Sequence, residues 1–205
     1  MNSAEVISNA GNKAVMTRCF VRLGLPVPKA AVCYSPDSAL EAAESIGYPL
    51  VVKPIVGSWG RMIARLDNEE TARAIFEYKA ALPSLHQKVF FLQEYIEKPG
   101  RDIRCIVIGS DAIATYFRYS DHWITNIKRG GVGVADSGSK EIAELSRLAA
   151  NAVGGGVVSV DLIERSNGDL LVNEVNHTME FQEAASVTEV DIAGHYVDYC
   201  LEAAA

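Results

Sequence analysis

Apolar positions recur along the chain with two different periods, which predict helices and strands respectively. A period near 3.6 residues is typical of an amphipathic helix, whereas a short apolar or alternating run is typical of a strand. The helical period is found in residues 3–23 (broken at Gly11), 36–46, 68–80, 140–152, 181–186 and 191–205. Strand patterns are found in residues 30–34, 50–54, 62–66, 88–95, 102–108, 112–119 and in both halves of 157–176.

The order of these elements predicts the fold class and a division into lobes. Several strands follow one another through tight turns, which favours an α+β fold over a doubly wound parallel sheet. We expect a helical lead-in over residues 1–23, a small lobe over 24–96 and a larger lobe over 97–205, with a nucleotide between the lobes. Residues 120–139 show neither period and are predicted to form a loop long enough to be functional.

Composition and charge exclude several classes of protein. The chain has 205 residues, of which 49% are hydrophobic, so it can bury a core. Its formal charge of −7 argues against a general nucleic-acid binder, because binding by counterion release needs a basic face. No apolar stretch approaches the roughly 20 residues that span a bilayer, and no signal core is present, so we expect a cytoplasmic protein. The four cysteines are scattered singly, which indicates neither disulfides nor a zinc site.

The segment from Val157 to Asn176 consists of two apolar runs joined by a polar turn, which predicts a hairpin. Glu174 and Asn176 are two residues apart, so their side chains point to the same face of a strand, and Asp161 lies on the neighbouring strand. Two carboxylates and an amide carbonyl form an all-oxygen donor set of the kind that binds Mg²⁺. The alternative is a strand end at which acidic residues only face solvent.

A glycine-rich loop follows the apolar strand that carries Lys53. Exposed backbone N–H groups in such a loop can close over an anion, which makes Lys53 a candidate phosphate ligand. This is not a Walker loop, because no Gly-Lys-Ser/Thr follows and the next predicted element is a strand. The alternative is an ordinary hairpin beside a lysine whose amine reaches solvent. The loop consists of Gly57, Ser58, Trp59, Gly60 and Arg61.

Eight short motifs stand in a characteristic order along almost the whole chain. They are Gly11-Asn12-Lys13, Val51-Val52-Lys53-Pro54, the glycine loop, Gln93-Glu94-Tyr95, Gly100-Arg101-Asp102-Ile103-Arg104, Arg129-Gly130-Gly131, Asp161 and Glu174-Val175-Asn176. In this order they resemble the ATP-grasp carboxylate–amine ligases of the LysX and RimK type, most closely the LysX branch. That family has an N-terminal domain ahead of the first helix, which we expect this chain to lack.

The resemblance implies roles for these residues in binding ATP and two Mg²⁺ ions. Nucleotide contacts would come from Lys13, Lys53, the glycine loop, Gln93, Glu94, Tyr95, Ile96, Asp102, Arg104 and Asn126. Arg118 and Arg129 would be the catalytic residues, facing the transferred phosphate. The two Mg²⁺ ions would be held by Asp161, Glu174 and Asn176.

The resemblance also implies a reaction and its partners. A carboxylate would take the γ-phosphate of ATP to form an acyl phosphate, and an amine would then displace the phosphate. The carboxylate would belong to the C-terminal glutamate of a small acidic, LysW-like amino-group carrier protein, and the amine to α-aminoadipate or glutamate, in lysine or arginine biosynthesis. The amino acid would lie against Gln182, Glu183, Ala184, Ala185 and Ser186. Enzymes of this type commonly form homo-oligomers.

Two alternatives stay open at this stage. One is a RimK-like enzyme that adds glutamate to the C-terminus of another protein. The other is a nucleotide-binding module that needs a separate N-terminal partner.

Overall fold

This computed structural model describes residues 2–125, 130–136 and 138–204, and the chain divides into two compact units. Unit 1 consists of Met1–Gly11, Val15–Val27 and Glu97–Ala205, and unit 2 of Asn12–Ala14 and Pro28–Ile96. The predicted Asn126 and Arg129 lie outside the described residues. No helix of the described part is both long and apolar enough to cross a membrane.

Helices and strands follow one another as an α+β fold, which confirms the predicted class. The helices are α1 Ala4–Ala10, α2 Lys13–Arg22, α3 Pro36–Ile46, α4 Glu69–Ala81, α5 Lys140–Val153, α6 Gln182–Thr188 and α7 Ile192–Glu202, with a 3₁₀ turn at Leu85–Lys88. The strands are β1 Ala30–Cys33, β2 Leu50–Lys53, β3 Ala64–Leu66, β4 Phe90–Glu94, β5 Arg101–Ile108, β6 Asp111–Tyr119, β7 Val132–Ala135, β8 Val157–Glu164 and β9 Leu170–Asn176.

Unit 2 is an antiparallel sheet in the order β1-β4-β2-β3, with a core shared by the sheet, α3 and α4. Phe76 of α4 packs edge-on against Phe90 of β4, with ring centroids 5.2 Å apart. Ser35 caps α3 through a capping box ahead of Pro36, and Asn68 caps α4. Both caps are readable from sequence because they are contacts between residues three apart.

Unit 1 contains an antiparallel sheet in the order β7-β6-β5-β8-β9, and its two faces are covered differently. One face packs against α1, α2 and α5 through a continuous apolar core that includes Phe20, Val160 and Val175. The other face has a second core at one end, where Ala184 of α6 and Ile192 of α7 pack against it. The remainder of that second face carries charged side chains.

The long loop predicted over residues 120–139 is wrong in one part, because Val132–Ala135 forms strand β7. β7 pairs with β6 in antiparallel register, from Tyr116 opposite Ala135 to Tyr119 opposite Val132. Four residues are too few to show a period in the sequence, and the pairing is a tertiary contact. The strand therefore could not be predicted locally.

Candidate functional site

The register of unit 1 brings charged residues of four strands to one face of the sheet. Arg104 on β5 lies opposite Asp161 on β8, and Asp161 in turn lies opposite Glu174 on β9. One strand further, Asp102 on β5 lies opposite Arg118 on β6. Directly opposed residues in antiparallel strands project to the same face and lie within contact distance. These five side chains therefore form one group, and all five are among the residues predicted from sequence.

Asp161 is the centre of this group, with 7% of its surface exposed. Arg104 binds it through two parallel hydrogen bonds, Nε to Oδ1 at 2.7 Å and Nη2 to Oδ2 at 2.8 Å. Arg118 Nη2 lies 3.2 Å from Oδ2. Burial by itself would raise the pKa of the Asp161 carboxyl, but the charges and hydrogen bonds of the two arginines outweigh burial and hold that pKa well below its usual range. The Asp161 side chain is therefore a carboxylate at neutral pH.

Arg118 joins Asp161 to a second carboxylate, that of Asp102. Its guanidinium donates from Nε to Asp102 Oδ1 at 2.6 Å and from Nη2 to Oδ2 at 2.8 Å. The Thr125 hydroxyl donates to the same Oδ2, and Lys98 Nζ donates to the Thr125 hydroxyl at 2.8 Å. Burial lowers the pKa of the Lys98 amine, although the negative charge of Asp102, whose Oδ2 lies 3.9 Å from Lys98 Nζ, acts to raise it. The result is a chain of polar contacts whose members are nearly all paired, so their positions are fixed before any ligand binds.

Lys98 and Thr125 were not among the predicted site residues. Lys98 stands in the segment Lys98-Pro99-Gly100-Arg101, directly ahead of Asp102, so its nearness in sequence to a predicted site residue was the available signal. Thr125 is a single hydroxyl in a segment without period, so its burial to 2% exposure is visible only in the folded chain.

The predicted metal ligands lie together at β8 and β9. A bulge between Asp161 and Leu162 gives β9 one extra residue, Asn173, so that Glu174 stands opposite Asp161. Asn176, two residues on, places its amide Nδ2 3.5 Å from Asp161 Oδ2. Bulges often re-aim side chains beside functional sites.

The donor chemistry of this trio fits a hard divalent cation. Asp161 Oδ1 accepts a hydrogen bond only from Arg104 among the described residues, which leaves lone-pair capacity on that oxygen. Glu174 supplies a second carboxylate and Asn176 an amide oxygen. No group of three His, Cys, Asp or Glu side chains suited to a metal occurs in residues 2–125, 130–136 and 138–204, so an amide is needed to complete this set.

In unit 2, the two predicted lysines are buried and held by neighbouring groups. Lys13, which is 7% exposed, donates from Nζ to the carbonyl oxygen of Gly57 at 3.1 Å, and its backbone N–H donates to Ile55 O at 2.9 Å. Lys53, which is 9% exposed, donates to Gln93 Oε1 from the adjacent strand. The unit thus brings Lys13 to the start of the glycine loop and Lys53 to the predicted adenine segment.

The glycine loop is an exposed turn between β2 and β3, which pair in antiparallel register as predicted. Trp59 has φ 60° and Gly60 has φ 64°. A positive φ is uncommon for a tryptophan, and such conformations cluster at functional turns. Arg61 stacks its guanidinium over the Trp59 ring at 4.7 Å, while the side chain of Trp59 stays 40% exposed.

The predicted adenine segment begins at the end of β4. Gln93 and Ile96 are buried, with 4% and 5% exposure. Glu94 is tied to Lys29 by two hydrogen bonds, from Glu94 N to Lys29 O at 2.8 Å and from Lys29 N to Glu94 Oε2 at 3.2 Å. The Tyr95 ring lies under the guanidinium of Arg65 at 4.5 Å.

The predicted amino-acid segment forms most of α6, which packs over β6 and β7 in unit 1. Its residues are placed differently: Ala184 is fully buried in the core, whereas Gln182 and Ser186 are exposed. Glu183 lies against β7, where a Cβ added to Gly133 would come within 2.7 Å of Glu183 Oε1. Gly133 is opposite Arg118, so Glu183 lies at the edge of the charged face.

Comparison with known proteins gives consistent matches. The RimK-like ATP-grasp domain matches residues 10–200. Glutamate–LysW ligase ArgX of Sulfolobus acidocaldarius is 35% identical over 97% of this chain and 71% of its own length. Alpha-aminoadipate–LysW ligase LysX of Saccharolobus solfataricus is 30% identical over 98% and 74%. The structure of ATP-grasp ligase PsnB with minimal precursor, Mg and ADP matches with a TM-score of 0.76 at 21% identity, over 98% of this chain and 61% of that one.

Proposed function

Because this chain belongs to the RimK-like ATP-grasp family of ligases, we propose that it joins a carboxylate to an amine with ATP and Mg²⁺. The family membership confirms the resemblance stated from the motifs, and the fold is the ATP-grasp fold. The chain spans about seven-tenths of the length of its ligase relatives.

The observation that carries the proposal is the pairing of Asp161 with Arg104 and Arg118 beside Glu174. Phosphoryl transfer requires positioning and charge neutralisation more than covalent participation by the protein. Guanidinium groups neutralise phosphate oxygens. Carboxylates hold the divalent cation to which the substrate phosphates also bind. A face that combines both kinds of charge in fixed positions supports this chemistry.

Each residue group of the site has a distinct part in the proposal. Lys13 and Lys53 neutralise the ATP phosphates, and the glycine loop covers them with backbone N–H groups. The segment Gln93–Ile96 holds the adenine. Asp102 and Arg104 also contact the nucleotide, and their ion pairs fix the orientation of both side chains. Asp161, Glu174 and Asn176 hold Mg²⁺, which supplies charge neutralisation between the phosphates when bound.

The reaction has two balanced steps. A carboxylate oxygen attacks the γ-phosphorus, and the bond from this phosphorus to the oxygen of the β-phosphate breaks. The products of this step are an acyl phosphate and ADP. The amine nitrogen then attacks the acyl carbon, loses a proton and expels inorganic phosphate to give an amide. We assign Arg118 the stabilisation of the oxygens that gain charge in the first step, and we assign the same role to Asn126 and Arg129.

The substrate proposal follows from the relatives. Both LysW ligases named above act on a carrier protein, one with glutamate and the other with α-aminoadipate. We assign this chain the C-terminal glutamate carboxylate of a LysW-like carrier as its acyl substrate. Glutamate or α-aminoadipate is then the amine, received beside α6.

Release of ADP tests the activity, and the mass of the carrier tests the acceptor. The protein is incubated with Mg-ATP, a LysW-like carrier and each amino acid in turn. The proposal expects ADP release that depends on both co-substrates, together with a carrier heavier by one residue of glutamate or α-aminoadipate. ATP binding without turnover in any of these mixtures contradicts it. A mass gain on a protein C-terminus unrelated to the carrier favours the RimK-like alternative.

A further inference from the structure

Strand β9, which carries Glu174 and Asn176, is held at two points by side chains from the first sixteen residues. Asn2 lies just ahead of α1, and Met16 lies in α2. Both belong to unit 1, as does β9. Neither residue was a candidate from sequence, because the contacts that they make span more than 150 positions.

Asn2 connects the start of β8 with the residue that follows β9. Its Nδ2 donates to Val157 O and to His177 O, both at 2.8 Å, while its Oδ1 accepts from Val157 N at 2.6 Å. The last pair in the β8–β9 register is Ser159 with Asn176. The Asn2 amide therefore extends the ladder beyond its last rung and fixes the backbone directly after Asn176.

Gly156 is shaped for this contact. Its φ is 88°, and an added Cβ would lie 2.2 Å from Asn2 Oδ1. A side chain at position 156 would thus displace the Asn2 amide as well as strain the backbone.

Met16 holds β9 on the other side of Asn176. Val175, between the two predicted ligands, donates its backbone N–H to Met16 Sδ at 3.1 Å. β9 is an edge strand of the sheet, so within the described part of the chain this N–H has no neighbouring strand to accept it. Met16 is 1% exposed, and its thioether is the acceptor available inside the core.

We propose that Asn2 and Met16 are positioning residues of the metal site, which set its cation affinity by fixing the β9 backbone on both sides of Asn176. The inference rests on the proposed function, in which Glu174 and Asn176 hold Mg²⁺. Groups that orient metal ligands affect affinity strongly, because the ion accepts little variation in ligand position. Asn2 and Met16 thereby act on the metal site through the backbone of β9.

Cation binding tests this inference without turnover. Mn²⁺ replaces Mg²⁺, and its free concentration is followed by electron paramagnetic resonance during titration into protein saturated with ADP. Asn2→Ala and Met16→Leu are each expected to weaken Mn²⁺ binding about tenfold. Met16→Leu keeps the side-chain volume, so it preserves the fold and tests the acceptor alone. Hydrogen exchange at the Val175 amide should accelerate in the same variant.

Asn9→Ala is the matched control, because the side-chain amide of Asn9 also ties α1 to another part of unit 1. Its Nδ2 donates one hydrogen bond, to Val153 O at 3.2 Å. This variant should leave Mn²⁺ affinity unchanged. Equal weakening in the Asn9 and Asn2 variants overturns the inference, as does unaltered affinity in the Asn2 and Met16 variants. Asn176→Ala tests the metal assignment separately from the positioning role of Asn2 and Met16. If that variant binds Mn²⁺ normally, the metal assignment itself fails; if it alone loses affinity, only the positioning role fails.

Discussion

Glu174 stands directly opposite Asp161 because β9 contains one residue more than β8 at that point. Without the bulge, Asn173 would occupy this position and the alternation of the strand would send Glu174 to the other face. The extra residue thus converts an ordinary hairpin into one that presents two carboxylates and an amide on a single face.

Replacing Glu174 by Ala should weaken divalent-cation binding by about 10- to 100-fold and reduce turnover in parallel. The fold should persist, since the residue lies near the end of an edge strand. Mn²⁺ titration and circular dichroism measure the two effects. Glu164→Ala is the control, because Glu164 lies on the same hairpin but pairs with Arg101. Normal cation affinity in Glu174→Ala would refute the assignment of this carboxylate.

The ion pairs of Asp161 predict how the free energy of unfolding depends on pH when EDTA keeps the protein free of divalent cations. The folded carboxyl has a lowered pKa, whereas in the unfolded chain it titrates at about pH 3.9. As the pH falls, the unfolded chain therefore binds the proton first. The stabilising contribution of Asp161 is complete above that pH and is lost progressively below it.

Urea unfolding between about pH 3 and pH 6 measures this contribution. Asp161→Asn should be less stable than the unaltered protein near neutral pH and should lose less stability on acidification. Asp169→Asn, in the exposed hairpin turn, is the matched control. Parallel stability curves for the Asp161 variant and the unaltered protein would contradict the predicted linkage.

Removal of two buried hydroxyls should change the free energy of unfolding by different amounts. Thr125 both receives a hydrogen bond from Lys98 and donates one to Asp102, so Thr125→Val should cost about 1–3 kcal/mol in the free energy of unfolding. The Ser159 hydroxyl is buried without a hydrogen-bond partner among the described residues. Ser159→Ala should therefore be neutral or slightly stabilising. Chemical denaturation compares them, and a larger loss for Ser159→Ala would show that its hydroxyl has a partner.

Gly133→Ala should alter amino-acid binding more than nucleotide binding. The added methyl group would approach Glu183 Oε1 to 2.7 Å, and a carboxylate at the end of a flexible side chain can move away at little cost. We expect the KM for the amino acid to rise several-fold while the KM for ATP and the melting temperature stay close to normal. Glu183→Ala alone should show the same separation. A rise confined to the KM for ATP would place the amino acid elsewhere.

Local patterns were sufficient for the parts of the fold that depend on residues near in sequence. The caps at Ser35 and Asn68, the break at Gly11 and the turn after β8 each follow from a few adjacent residues. The pairing of Asp161 with Glu174 was also expected, since one hairpin contains both residues.

Other features depend on contacts between distant segments and had no local signal. Thr125 comes to Asp102 from a loop 23 residues away, and β7 exists only through its pairing with β6. The bulge at Asn173 contains no glycine that would indicate it. The resemblance supplied Arg104 as a nucleotide contact, but only the register shows that its guanidinium is committed to Asp161.

The backbone contacts along β9 have one more consequence. Val172 N donates to Pro26 O at 2.8 Å, and Val175 N donates to Met16 Sδ, so both N–H groups that face away from β8 at these positions are occupied. An open strand edge is a template onto which another chain can add. The N-terminal segment therefore shields this edge against intermolecular pairing, and variants that detach it should self-associate through β9 before the rest of unit 1 unfolds.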